Sequence, residues 1–158
     1  PSTTTTTAPA DVPVTVYFVG ATDQTLTTAQ RTVPTDNTLK TVLRALLGGP
    51  TTVEKSYGVR TVVSPDVHLV KAKPDRPTGG TGVVTLDFNQ AFGEISGTQQ
   101  VLAVAQVVYT TTAYMGSGYA VQFEIDGVAT DVPTATGAQV AGPVKRTTYA
   151  SLAPAPQP

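Results

Sequence analysis

The sequence predicts an α+β fold, a two-layer sandwich in which two helices pack on one face of a mainly antiparallel sheet. Three observations predict it. Several β-branched stretches alternate apolar and polar residues with a period of two, and two stretches carry apolar residues at helical spacing. Two helices are also too few to bury both faces of so wide a sheet.

Val12 to Val19 reads as the first strand, with Val14, Val16 and Phe18 on one face and Thr15 and Tyr17 on the other. Leu26 to Val33 alternates less cleanly, but a turn over Gly20 to Thr25 would return it beside the first strand. In Leu39 to Leu47, Leu39, Val42, Leu43, Leu46 and Leu47 recur at spacings of three and four. Asp36, Asn37 or Thr38 is available as N-cap, and Gly48-Gly49-Pro50 stops the helix. Thr51 to Tyr57 is expected to form a short helical turn closed by Gly58, and Val59 to Val63 a brief strand.

Val67 to Lys73 and Val83 to Phe88 read as an antiparallel hairpin around a Pro/Gly loop, with Val84, Leu86 and Phe88 inward and Thr85 and Asp87 outward. Gln99 to Thr112 is too long for an ordinary strand, and Thr98 is an available N-cap. The segment is predicted as a helix that is apolar on almost every side and therefore deeply packed. Tyr119 to Ile125 is a further strand ending at an Asp126-Gly127 turn, and Val144 to Leu152 closes the domain with a short pairing or packing segment. Residues 11–152 thus form one domain. Pro1 to Ala10, PSTTTTTAPA, reads as a disordered Thr/Pro linker, and Ala153 to Pro158, APAPQP, as a tail.

Only 13% of the 158 residues are charged, about half the usual share, so hydroxyls and backbone must wet much of the surface, as suits an exported protein. The net charge of −1 offers no positive field for a phosphate backbone, which argues against nucleic acid as a partner. Cysteine is absent, which removes disulfides, thiolate metal sites and a thiol nucleophile. No apolar run reaches the roughly 20 residues that span a bilayer, so a membrane is expected to be met only through an anchor outside this sequence. Beginning at Pro1 rather than Met, the chain is expected to follow a removed upstream segment.

The chemistry available to such a chain is narrow. His68 is the one histidine, placed in a predicted strand, where an imidazole packs or meets solvent more often than it acts as a base. The carboxylates are scattered without ligand-like spacing, so no metal or other cofactor is expected. Asp87, Glu94, Glu124 and Asp126 are the set that convergence in space would turn into a carboxylate glycoside hydrolase, a remote alternative beside their surface and turn roles. Gly79-Gly80-Thr81-Gly82 leads into a strand rather than a helix and reads as a hairpin loop, not a phosphate cradle. No serine lies in a nucleophile elbow. Tyr109, at helical spacing from Leu102 and Ala105, is expected in the core. Tyr114 and Tyr119, flanking Met115-Gly116-Ser117-Gly118, are the candidate binding surface, since exposed tyrosines stack on sugars or anchor proteins.

Five segments in order, VTVYFVG, LLGGPT, VTLDFNQAF, LAVAQVVYTTT and FEIDG, together with the closing PVKRTTYASL, resemble the GerMN domain, the sporulation and spore germination domain. The resemblance covers roughly Val12 to Leu152. It implies an exported domain, often carried by lipoproteins or membrane-anchored proteins of Gram-positive bacteria, with a compact fold similar to ring-building motifs and no known catalytic activity. Arg146 and Tyr149 match the family's closing Arg-x-x-Tyr, and Arg31 also lies where the family likeness has arginine. Fold-stabilising roles follow for them, the guanidinium groups satisfying backbone carbonyls or a carboxylate such as Asp87. The expected function is a non-catalytic extracytoplasmic module for protein interaction or assembly in the cell envelope, with an envelope protein as partner. The alternative is a module binding peptidoglycan or another cell-wall glycan.

Overall fold

A computed structural model describes residues 11–21, 25–75 and 82–154. The proposed linker over 1–10, most of the hairpin loop and the last four residues of the tail lie outside the described residues.

The chain opens with a hairpin, β1 (Val12–Val19) and β2 (Leu26–Val33), paired antiparallel from Val12 opposite Val33 to Val19 opposite Leu26. Helix α1 (Leu39–Leu47) follows and buries Leu39, Val42, Leu43 and Leu46. Of the three candidate caps, Thr38 is used: its hydroxyl accepts from the Thr41 N–H, and Thr41 Oγ1 accepts from the Thr38 N–H in return. The helix ends as Gly48 N–H bonds back to the Arg44 carbonyl and Gly49 takes φ +78°, a conformation that costs glycine little. Thr51 then caps the short helix α2 (Thr52–Ser56) through a second reciprocal pair with Glu54.

The main sheet holds β3 (Leu69–Asp75), β4 (Val83–Phe88), β5 (Ala120–Ile125) and β6 (Val128–Ala129) in that order, with β9 (Val144–Lys145) also pairing β5. The predicted β3–β4 hairpin is antiparallel, whereas β4 and β5 run parallel. A parallel neighbour requires a long crossover. Here α3 (Gln90–Gly93), which sequence periodicity did not signal, and α4 (Gly97–Met115) supply it. β5 and β6 are joined by the Asp126-Gly127 turn, with φ +49° and +80°, the paired positive angles of the tightest hairpin turns.

Helix α4 lies at the centre of the fold. Every residue from Val101 to Thr112 is buried, against β1, α1, β5, the short strand β7 (Val132–Pro133) and the closing 3-10 helix Arg146–Leu152. Its first helical residue is Gly97, so Ser96 rather than Thr98 stands at the cap position. Below it, Phe88 stacks on Phe92 at 4.5 Å and Phe123 completes the cluster at 5.7 Å from Phe92. Such pairs add roughly 0.5–1.5 kcal/mol each beyond burial.

The α+β class and the pairing of the two main helices are as the sequence predicts, but the strands do not form one continuous sheet. The β1–β2 hairpin, the five-stranded sheet and the pair β7–β8, where β8 is Gln139–Val140, are separate hydrogen-bonded units. The expected strand over Val59 to Val63 reduces to one bridge between Val19 and Arg60. Its ladder is interrupted because the Val62 N–H bonds to Gln106 Oε1 at 3.1 Å instead of to a neighbouring strand.

Candidate functional site

Tyr114 occupies the last turn of α4 and is partly exposed, as a binding tyrosine must be. Its hydroxyl lies 2.6 Å from Asn37 Oδ1 and 3.3 Å from the Asn37 carbonyl, which ties the end of α4 to the residue before the α1 cap. The ring separates two shallow depressions. One, of about 320 Å³, lies between Val12 to Thr15 and Ala113. The other, of about 440 Å³, is lined by Leu39, Lys40, Ala72 and Met115 among others.

Tyr119 does not join this surface. It is 7% exposed, packed with the core, and its expected exposure is corrected. The reason is the strand it leads into: Tyr119, Val121 and Phe123 alternate onto one buried face.

Arg31 does engage a carboxylate and a carbonyl, but the carboxylate is Glu54, not Asp87. Its Nη1 and Nη2 donate to the two Glu54 oxygens at 2.9 and 2.7 Å, Nη2 also reaches the Gly49 carbonyl at 3.2 Å, and the guanidinium carbon stands 5.3 Å from the Phe18 ring centre. The paired guanidinium, through its hydrogen bonds above all, holds the Glu54 carboxyl down at about 2. Arg146 finds no carboxylate among the described residues. Its Nε donates to Thr112 Oγ1 at 3.0 Å and Nη2 to the Tyr109 carbonyl at 3.1 Å, while the group stacks over the Tyr109 ring at 4.7 Å. Tyr149 is fully buried, its hydroxyl 2.7 Å from the Pro133 carbonyl, and burial pushes that phenol well above its ordinary range. All three side chains fasten distant segments together.

Asp87 was expected to face outward, yet it is buried at 7% exposure because the β5–β6 turn folds over it. Its Oδ1 accepts the Gly127 N–H at 2.9 Å. Asp87 and Glu124 do meet, opposite each other on the parallel strands and beside Lys71 and Lys73, in an open polar groove. Asp87 is thereby committed to a turn. His68 is exposed just before β3, its backbone N–H bonded to Asn89 Oδ1. Among the described residues, no three His, Asp or Glu side chains gather to hold a metal ion, and no helix is long and apolar enough to cross a membrane.

Sequence reasoning missed the feature that shapes the Tyr114 surface. Gln106 Nε2 donates to the Tyr17 carbonyl at 3.2 Å and the Tyr17 N–H donates to Thr110 Oγ1 at 3.1 Å, so two helix side chains satisfy a strand edge. The signal was present: Gln106 and Thr110 are polar, four apart, inside an otherwise apolar stretch. A further depression of about 320 Å³ at the start of α4, bounded by Thr98, Val101, Pro133, Gln139 and Leu152, was likewise not foreseen.

Comparison with known proteins agrees with this architecture. The tandem GerMN domains of the sporulation protein GerM from Bacillus subtilis match with a TM-score of 0.65 and 26% identity, over 88% of this chain and 46% of that one. The chain thus spans less than half of the tandem protein's length. The first GerMN domain of the same protein matches at TM-score 0.56 and 20% identity, over 86% and 98% of the two chains. A candidate lipoprotein from Clostridium perfringens matches at TM-score 0.54 and 15% identity, over 91% and 93%. These last two likenesses speak to the fold alone. Among curated proteins no sequence matches. The family model described as sporulation and spore germination covers residues 15–131. With most of its length matched by that model and its architecture shared with the GerM domains, the chain belongs to the sporulation and spore germination family as a GerMN domain.

Proposed function

We propose that this domain is a non-catalytic, extracytoplasmic module for protein interaction or assembly in a bacterial cell envelope. One observation carries the reading: Arg31, Arg146 and Asp87 are spent on the fold, and the depression between β1 and Tyr114 is lined by uncharged groups. Arg31 is paired with Glu54, Arg146 ties the closing 3-10 helix to Tyr109 and Thr112 of α4, and Asp87 holds a turn. The depression between β1 and Tyr114 instead offers hydroxyl, amide and backbone groups, which serve recognition rather than bond breaking. The low share of charged residues, 13%, and the membership of the sporulation and spore germination family support placing it outside the cytoplasm. Cross-linking in intact cells followed by recovery of the domain is expected to capture a defined envelope protein, and recovery of the domain alone overturns the reading.

A second reading, a module for cell-wall glycan, is favoured by the partly exposed Tyr114 ring beside the Asn37 side chain, a pairing suited to a sugar. Co-sedimentation with purified wall separates the two. Depletion from the supernatant, lost in Tyr114→Ala, supports the glycan reading, and full retention in the supernatant removes it.

A further inference from the structure

The structure assigns the outer edge of β1, from Val12 to Thr15, as a docking site for an extended, uncharged peptide segment that adds a third strand to the β1–β2 hairpin. The inference rests on the protein-binding reading above and names the kind of partner it takes.

In a strand, the N–H and C=O of one residue point to the same side, and successive residues alternate. Val19 exchanges both of its groups with Arg60, at 2.8 and 2.9 Å, on the side away from β2. Tyr17 must then point the same way, and it does: its N–H and C=O go to Thr110 and Gln106. Thr15 and Pro13 continue the series. The Thr15 N–H, the Thr15 C=O and the Pro13 C=O therefore face outward, and none has a hydrogen-bond partner among the described residues. The Thr15 hydroxyl, by contrast, is used within the hairpin, accepting from Gln30 at 3.2 Å.

Helix α4 explains why the cover stops there. It runs along this edge and fills it with Gln106 and then Thr110, but one turn further its residue is Ala113, too short to reach the strand. The space left is the depression of about 320 Å³ beside Tyr114. One outward donor flanked by two outward acceptors is what a peptide backbone complements, and strand addition takes most of its affinity from such main-chain bonds. Every residue around the depression is uncharged: Val12 to Thr15, Asn37, Ala113 and Tyr114. A charged side chain entering it would lose water without gaining a partner, which selects an uncharged segment. Another free strand edge, β3, is treated differently. It carries Lys71, Lys73 and Pro74, the residues that blunt an edge against pairing. On β1 only Pro13 lacks an outward donor, which fixes the register by leaving the bonds to Thr15 and the Pro13 carbonyl.

The test uses the full chain and a display library of short uncharged peptides. In the free protein the Thr15 amide should exchange with solvent much faster than those of Tyr17 and Val19. An enriched peptide should slow Thr15 exchange about tenfold or more at saturation. Thr15→Pro, which removes the outward donor, should abolish capture, as should Ala113→Trp, which fills the gap from the exposed end of α4. Two variants guard against misfolding of either. Failure to enrich any peptide, or equal capture by the parent and both variants, overturns the inference. In cells, an envelope protein that cross-links equally to the parent and Thr15→Pro sinks the β1 edge while leaving the protein-binding reading standing. Absence of any cross-linked protein from the parent sinks that reading itself.

Discussion

Arg31 and Glu54 hold each other through two parallel hydrogen bonds, 2.9 and 2.7 Å long, across 23 residues of sequence. The pair joins β2 to the start of α2, and the same Glu54 carboxylate accepts the Thr51 N–H at 2.8 Å. Both side chains keep some contact with water, at 17% and 23% exposure, so the pair is discounted for solvent screening.

Glu54→Gln should lower stability at neutral pH by about 1 kcal/mol, because the neutral amide keeps one bond but loses the charge-assisted pair. Glu54 is held at about 2 when folded against an ordinary value of 4.5. A depressed carboxyl adds stability that is complete above its unfolded value and is lost as pH falls through the folded one. The gap between the parent and Glu54→Gln in urea melts should thus be constant above about pH 5 and close between about pH 4.5 and 2. A gap that does not change with pH contradicts the pair.

Asp87 serves the turn at Gly127, which separates acceptor chemistry from acid chemistry. Asp87→Asn keeps an oxygen that accepts the Gly127 N–H and should melt close to the parent. Asp87→Leu leaves that N–H without its partner, at a cost of about 1–3 kcal/mol. Thermal melts of the two variants check the difference. Equal losses would mean that the carboxylate's charge, not its bond to the turn, is what the fold uses.

Tyr149 ties the final 3-10 helix to β7, and its phenol is raised above its ordinary value of 10 by burial. Below pH 10 the folded and unfolded chains hold the same proton; above it the unfolded chain loses its proton first, so this contribution falls as pH climbs. Tyr149→Phe should cost about 1–2 kcal/mol at neutral pH through the lost bond to the Pro133 carbonyl. The variant should also lose less stability than the parent between neutral pH and alkaline conditions, a difference that denaturant titrations at several pH values would register.

What the sequence revealed and what it withheld divide along a physical line. The bounds of β1, β2 and α1 are those expected from periodicity and from the Gly48-Gly49-Pro50 stop, because each signal lies within a few residues of what it controls. That Arg31 meets a carboxylate and a carbonyl is as expected, but which acid it meets, Glu54 rather than the suggested Asp87, depends on how β2 and α2 come together. A Thr51-x-x-Glu54 cap was nonetheless legible locally. Tyr119 is expected to be exposed because it flanks Met115-Gly116-Ser117-Gly118, although its alternation with Val121 and Phe123 in the predicted strand points inward, where it lies. The parallel pairing of β4 with β5 is a property of the crossover and leaves no mark on either strand. Of the candidate site, Tyr114 was legible from its position after an apolar helix. The β1 edge beside it was not, because an unpaired edge is defined by what fails to arrive.

Three neighbouring polar residues on α4 make the sharpest test of how that edge is covered. Gln106 and Thr110 bond to the backbone of Tyr17, and Gln106 also accepts the Val62 N–H, whereas the Thr111 hydroxyl is buried with no hydrogen-bond partner among the described residues. Removing a partner from a buried backbone group costs its desolvation, about 1–3 kcal/mol, while removing a buried hydroxyl that bonds to nothing costs little or stabilises. Thr110→Val should therefore destabilise by about 1–2 kcal/mol, and Gln106→Leu, which strands two backbone groups, by about 2–4 kcal/mol. Thr111→Val, the same change one residue along, should be neutral or stabilising by up to about 1 kcal/mol. Urea melts rank the three, and hydrogen exchange locates the effect: the Tyr17 amide should lose protection in Thr110→Val and keep it in Thr111→Val. A destabilised Thr111→Val with an unaffected Thr110→Val would mean that α4 covers β1 by packing alone, with no role for its hydroxyls in closing the strand edge.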